Sequence, residues 1–256
     1  MPFALGGIRW FYDVPGEASW TVSKRSLGDS LVAALSGSFA VSMSGRHGSA
    51  RVTLNRASTG LHVPARATWG IEDVSTNAVG LVLSSPSGRP VAGPDSTTGD
   101  ESRRPFAETT IDDCGEVVFR RHRSPWGSTT EVIPGIDVPF AIPRVYYLYD
   151  IPGGASRGAH GHRALEQVLV AVTGSFEMTL SDGRRNTSMR LDRADIGTYV
   201  PPGIWRELTS FSTGAVCVTL ASAPYDEGDY VRDYAEFSRL KRRSASGAAL
   251  RSIQPE

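Results

Sequence analysis

Short runs of Val, Leu, Tyr, Ala and Thr recur along the chain, each closed by Gly, Pro, Asp or Ser. In the first half they are Asp29–Leu35, Ser38–Met43 and Ala78–Leu83; in the second they are Arg144–Tyr149, Gln167–Val172, Ser175–Leu180 and Ala215–Leu220. Runs this short, rich in β-branched and aromatic residues and bounded by turn formers, read as strands. The Ser181-Asp182-Gly183 step behind Leu180 is a hairpin turn signal. Near-helical spacing is confined to Asp229–Arg242, where Tyr230, Val231, Tyr234, Phe237 and Leu240 predict a short C-terminal helix. Many short strands with turn chemistry predict an all-β sandwich or barrel.

The pattern is written twice. Shifting the sequence by 137 residues lays Pro2–Pro86 on Pro139–Ala223 without a gap, with 26 identities in 85 pairs. Tyr12-Asp13 falls on Tyr149-Asp150, Gly37-Ser38-Phe39 on Gly174-Ser175-Phe176, and Val63-Pro64 on Val200-Pro201. A repeat of this length marks two domains, each large enough to bury its own core. The expected division is 1–86 for the first domain, 87–109 for a Pro-, Gly- and Ser-rich flexible linker, 110–240 for the second domain, and 241–256 for a frayed tail. Glu116–Glu131 reads as extra strand material leading into the second copy.

Charge adds mainly exclusions. Lys plus Arg (27) balances Asp plus Glu (27), so no field recruits nucleic acid or an anionic membrane surface. The two cysteines, Cys114 and Cys217, sit in no paired motif and are expected to be reduced. No apolar stretch is long enough to span a bilayer, and the N-terminus lacks a signal pattern. The expectation is a soluble, cytoplasmic protein.

The copies differ where chemistry is concentrated. The second reads His160-Gly-His162-Arg-Ala-Leu-Glu166; the first has Ser23-Lys-Arg25-Ser-Leu-Gly-Asp29 in its place. A period of two puts His160 and His162 on one face of a strand. With Gly154, Glu166 and Gly174 they resemble the first motif of the cupins, with Glu166 expected to meet the two rings. The second cupin motif is similar to Gly197, Pro201-Pro202-Gly203 and Ile204-Trp205, but where a metal-binding cupin has its last His this chain has Arg206. A guanidinium stays protonated and cannot ligate a metal. The reading is therefore a metal-free pocket with two imidazoles suited to proton transfer. A metal held weakly by two His and a Glu stays as the alternative. Arg144 and Arg157 are candidates to clamp a diphosphate. Tyr147, Tyr149 and Trp205 are candidates to stack on a base or sugar. In the first copy Gly7, Trp20 and Thr68 stand opposite Arg144, Arg157 and Trp205.

Several separated blocks in order carry a closer likeness: Arg144–Asp150, Arg157–His162, Leu165–Val170, Tyr199–Trp205, Leu220–Ser222 and Tyr225–Arg232. Together, over roughly 116–240, they resemble the dTDP-sugar 3,4-ketoisomerases, which are small cupins. The resemblance implies two jelly-roll barrels, the first degenerate, and isomerisation of a dTDP-4-keto-6-deoxyhexose to its 3-keto form without a cofactor. It implies His160 as base and His162 as its proton-transfer partner. Tyr149 or Arg206 would stabilise the enediolate, and Arg144, Tyr147, Arg157, Glu166, Trp205 and Arg206 would hold substrate. Two departures stand out: Arg206 replaces a His, and Ser124-Pro125-Trp126-Gly127 replaces a segment whose Arg or Tyr is associated with the C4 configuration. The family's dimers exchange leading strands, so the first copy is either a built-in partner making a pseudo-dimer, or two chains pair through their second domains. A metal-dependent dioxygenase-like cupin and a non-catalytic sugar-nucleotide binder are the competing readings.

Overall fold

The computed structural model describes residues 3–16, 18–22, 28–46, 48–86, 106 and 108–251. The first unit contains β1 (Gly7–Tyr12), β2 (Trp20–Val22), β3 (Ser30–Ser36), β4 (Phe39–Gly45), β5 (Gly48–Leu54), β6 (Gly60–Val63), β7 (Thr68–Glu72) and β8 (Val79–Ser84). Three strands follow: β9 (Gly115–Val118), β10 (Arg120–Ser124) and β11 (Gly127–Val132). The second unit contains β12 (Arg144–Leu148), β13 (Arg157–His162), β14 (Gln167–Thr173), β15 (Phe176–Ser181), β16 (Asn186–Leu191), β17 (Ile196–Val200), β18 (Trp205–Thr209), β19 (Val216–Ala221), β20 (Tyr230–Val231) and the helix α1 (Tyr234–Arg251).

Each unit folds as two facing antiparallel sheets. In the first they are β6-β3-β8-β1 and β2-β7-β4-β5; in the second, β17-β14-β19-β12 and β16-β15-β18-β13. The orders correspond strand for strand under the 137-residue shift, as the repeat requires. The architecture is all-β, two cupin-type jelly rolls in one chain with a C-terminal helix. That helix continues to Arg251, through much of the segment expected to be a tail. Most of the expected linker lies outside the described residues, as do Ser23–Leu27. No described helix is long and apolar enough to cross a membrane.

Strand alternation sorts side chains between two destinations. Along β14, Val168, Val170 and Val172 face away from the barrel, while Leu169 and Ala171 fill it. Along β1, Ile8, Trp10 and Tyr12 face outward in the same way. The two outward faces meet, so Ile8, Trp10, Leu81, Val168, Val170, Val218 and Leu220 belong to one core shared by both units. Trp10 is fully buried there and its indole N–H donates to the Ala194 carbonyl at 2.7 Å.

The strand material expected to lead into the second copy is divided between the units. β9 pairs with β17 of the second unit, but β10 and β11 form a hairpin that extends the first unit's sheet beyond β1. The register runs from Ile8↔Val132 to Tyr12↔Ser128. Trp126, at the hairpin turn, therefore lies with the first barrel and not with the one that carries the histidines. The shared core and the crossing hairpin tie the copies into an intrachain pair.

Because one apolar core serves both barrels, Trp10→Ala should cost about 3–5 kcal/mol and lower a single cooperative transition. Urea unfolding followed by circular dichroism checks this. A variant in which only one half of the signal moves would contradict a shared core.

Candidate active site

The two histidines sit where β13 faces the barrel interior, with 9% and 3% of their surface exposed. A bulge precedes them: Gly158 and Ala159 both have positive φ, 84 and 51, and the pairing with β18 slips between Gly158 and His160. Such a bulge re-aims the next side chain. It also brings the Gly158 carbonyl to His160 Nδ1 at 2.8 Å. The residue between the histidines is packed closely, since a Cβ at Gly161 would come 3.1 Å from the Phe237 ring of α1, a contact that the ring would have to yield to. Helix packing outside the barrel thus favours glycine within His-Gly-His.

His162 Nδ1 lies 2.7 Å from Asp229 Oδ2. Asp229 is itself fixed by the Ala164 N–H at 2.7 Å. A carbonyl and a carboxylate accept hydrogen bonds, so Nδ1 carries the proton on both rings and Nε2 presents its lone pair. Both Nε2 atoms are buried without a partner among the described residues. The rings meet edge to face with centroids 4.9 Å apart, and Tyr230 contacts both, at 4.8 and 4.4 Å. Arg232 lies over Tyr230 at 4.4 Å and is held by Glu227 through two 2.9 Å hydrogen bonds.

Arg206 stands directly across the ladder from His160 and is 2% exposed, with Nη1 unpartnered. Burial first, then the Arg206 charge and the neighbouring imidazole, pulls the His160 pKa from 6.5 down to about 3. Burial also lowers His162, to about 4; the Asp229 hydrogen bond opposes this, and Arg206 adds to it. Burial pushes Asp229 up, but bonds from His162 and from backbone N–H groups outweigh it, so Asp229 is held low. Near neutral pH the site therefore holds two neutral imidazoles, one carboxylate and one fixed guanidinium.

Arg144 and Tyr146 complete the inner face. Arg144 lies over the rings of Tyr146 and Tyr225 at 5.3 and 5.7 Å, and two of its buried nitrogens have no partner. Gln167 donates to the Tyr146 hydroxyl at 2.9 Å, with its own Oε1 unpartnered.

The structure thus gathers Arg144, His160, His162 and Arg206, and separates the other expected residues from them. Glu166 does not meet the histidines: it lies outside the barrel, accepting from the Tyr199 hydroxyl at 2.6 Å. One residue of parity decides this, and Gln167 takes the inward place. Tyr147 and Tyr149 share the opposite face of their strand from Arg144 and pack against the core between the units. The Tyr147 hydroxyl donates to the Ala57 carbonyl of the first unit. Trp205 alternates with Arg206 and lies beneath α1, edge-on to Tyr234 at 5.1 Å. Arg157 is exposed, and among the described residues its side chain bonds the Ser156 carbonyl. Tyr146 and Gln167 were accessible from alternation counted from Arg144 and the histidines. Asp229, in a polar loop far along the chain, gave no local signal.

A cupin metal does not fit these residues. Glu166 points away, Asp229 is committed to His162 Nδ1, and a guanidinium occupies the final ligand position. No group of three or more His, Cys, Asp or Glu is placed to hold an ion among the described residues. Burial pushes the thiols of Cys114 and Cys217 up to about 12, so neither is a nucleophile near neutral pH.

A family model described as FdtA: WxcM-like, C-terminal matches residues 1–88 and 113–242. TDP-4-oxo-6-deoxy-alpha-D-glucose-3,4-oxoisomerase of Aneurinibacillus thermoaerophilus is 42% identical over 123 residues, covering 48% of this chain and 88% of that protein. A 3,4-ketoisomerase structure from Helicobacter canadensis is 41% identical, covers 51% of this chain and 98% of that one, and has a TM-score of 0.50. The structure of QdtA, a sugar 3,4-ketoisomerase from Thermoanaerobacterium thermosaccharolyticum in complex with TDP, is 33% identical over 51% of this chain and 95% of that one, TM-score 0.50.

Both folded pKa values lie below the unfolded 6.5, so the unfolded chain takes up protons first as pH falls. The stability associated with neutral, buried rings is complete above pH 6.5. It declines as pH drops toward the folded values, and thermal midpoints should fall accordingly. The pH profile of kcat/KM should show no imidazole limb between pH 8 and 5; a limb near 6.5 would contradict the site. Asp229→Ala should lower kcat by about 10²–10⁴-fold while leaving KM nearly unchanged, measured by steady-state kinetics.

Proposed function

The chain belongs to the FdtA, WxcM-like C-terminal family, and from that premise we propose that its second barrel isomerises a dTDP-4-keto-6-deoxyhexose to the 3-keto sugar in the cytoplasm. The chain is an isomerase of deoxysugar biosynthesis. In the 4-keto substrate the hydrogen on C3 is acidified by the neighbouring carbonyl. A base removes it, leaving an enediolate across C3 and C4. A proton then returns at C4, the O3 hydroxyl gives up its proton, and O4 gains one, so the ketone ends at C3. Atoms and electrons balance within the substrate, and no external oxidant or reductant takes part.

The observation that carries this reading is the pair of buried, unpartnered Nε2 lone pairs beside the buried guanidinium of Arg206, whose Nη1 has no partner among the described residues. Two neutral imidazoles supply a base and, once one is protonated, an acid. A buried guanidinium facing them is a preorganised donor for the negative charge of the enediolate. We assign His160 to the C3 proton. His162, its tautomer held by Asp229, carries the O3 and O4 protons, and Arg206 holds the enediolate oxygen. Arg144 at the mouth, with the Tyr146 and Tyr225 rings against it, receives the dTDP diphosphate. Arg206 takes the stabilising role for which Tyr149 was the other candidate, because Tyr149 faces the partner barrel.

Proton NMR of dTDP-4-keto-6-deoxyglucose in deuterated buffer tests the assignment. Protein treated with chelator should form the 3-keto product with deuterium entering at C4, and the same spectrum reads the C4 configuration. His160→Asn should lose about 10²–10⁴-fold in rate. Full activity in that variant, or activity abolished by chelation and restored by a metal, would overturn it.

A further inference from the structure

Gln167 is a primary amide on a strand face that is otherwise apolar. It opens β14 ahead of Leu169 and Ala171, which fill the barrel, and it is 1% exposed. Its Nε2 donates to the Tyr146 hydroxyl at 2.9 Å, and its Oε1 is buried with no partner among the described residues. The Tyr146 hydroxyl thus fixes which way the amide faces and leaves the oxygen as its free end. A buried acceptor with nothing to accept from costs stability. An amide oxygen can only accept, so the partner it suits is a donor that arrives with the ligand.

The internal repeat points the same way. Under the 137-residue shift Gln167 falls on Ser30 and Tyr146 on Arg9, so neither member of the pair exists in the barrel without histidines. There Arg9 bonds Glu131 instead. The positions around them keep their character: Glu166 falls on Asp29, Val168 on Leu31 and Leu169 on Val32. The amide and its phenol accompany the histidines, while the strand that carries the amide stays alike in both copies.

Position decides which donor fits. Arg144 and Gln167 both lie opposite Ala221, one on each side of β19, so they share a row across the inner face of the sheet. Arg144 lies against the exposed Tyr225 ring at the mouth, and His160 and His162 belong to the facing sheet. A hexose with its diphosphate on Arg144 and its C3 at His160 places C2 between them, because C2 is bonded to both C1 and C3. The thymine and ribose donors lie on the solvent side of the diphosphate, away from a side chain buried this deeply. The O3 and O4 protons are served by His162, so the hydroxyl that still needs a partner is the one on C2.

We propose, resting this on the isomerase reading above, that Gln167 Oε1 accepts from the C2 hydroxyl of the keto-sugar and makes the barrel specific for 2-hydroxy over 2-deoxy substrates. A pocket that buries an acceptor for a hydroxyl penalises the analogue without it, because the acceptor then stays unpaired. An apolar side chain in the same place discriminates only weakly between the two sugars.

Steady-state kinetics of the full chain on dTDP-4-keto-6-deoxyglucose and on its 2-deoxy analogue test this. Wild type should favour the 2-hydroxy sugar by about 10–100-fold in kcat/KM. Gln167→Leu should bring that ratio to within about twofold of one, chiefly by losing activity on the 2-hydroxy sugar. Tyr146→Phe removes the hydroxyl that fixes the amide but keeps the ring beside Arg144. It should lower the ratio part-way, and it carries the test where Gln167→Leu does not fold. A merely structural role would slow both sugars together and leave the ratio where it was. A ratio near one in wild type, or one that the folded variants leave unchanged, overturns the proposal while the isomerase reading stands. A wild type that turns over neither sugar overturns that reading, and the role of Gln167 with it.

Discussion

A strand has two faces, and in the second barrel both are buried against different things. One face of β12, β14, β17 and β19 joins the apolar core shared with the first barrel; the other lines the pocket. That constraint decides which residues of this sheet reach the pocket. Val168, Val170 and Val172 must face the neighbouring barrel, so Gln167, Leu169 and Ala171 face inward, and Glu166, one residue before Gln167, is turned away from the histidines. The outward valines and their partners on β1 and β8 hold the sheet still. That sheet supplies Arg144, Tyr146 and Gln167 to the pocket, and the facing sheet supplies His160 and His162 from β13 and Arg206 from β18.

Within the pocket the same burial that orients the groups also sets their charge. Removing two imidazoles from water disfavours their protonated forms, and a guanidinium across the ladder disfavours them further. Asp229 supports His162 without protonating it at neutral pH, because it accepts from Nδ1 and leaves the lone pair on Nε2. The balance of two guanidinium groups, Arg144 and Arg206, one buried anion and two neutral rings suits a reaction in which negative charge appears briefly on substrate oxygen. It is also a poor cation site, since the Arg206 guanidinium occupies the ground an ion would need.

The first barrel shows which residues the repeat keeps where the histidines of the second are absent. Its outward face persists because the second barrel packs against it, and its Gly37-Ser38-Phe39 turn persists because chain geometry requires it. Inside, Trp69 stands where Arg206 would be, among apolar neighbours. The two barrels are thus alike where they touch and unlike where they would react. The hairpin breaks the symmetry between them, serving a barrel without histidines.

Alternation, turns and the internal repeat were enough to determine an all-β chain of two like units and to single out His160, His162, Arg144 and Arg206; the jelly-roll form came from the family resemblance. These signals are local: a period of two fixes which neighbours on one strand share a face, and an identity repeat needs no third dimension. Tyr147, Tyr149, Glu166 and Trp205 lie on the faces turned away from the histidines, because residue type alone does not say which face of a strand is the pocket. That depends on where the other barrel packs, and on α1 covering Trp205 and Gly161. Asp229 reaches His162 across 67 residues, and β10–β11 leave their own repeat to pair with β1. Only the tertiary structure decided these, because a hydrogen bond between distant segments and the choice of a sheet edge are set by packing, which sequence spacing does not encode.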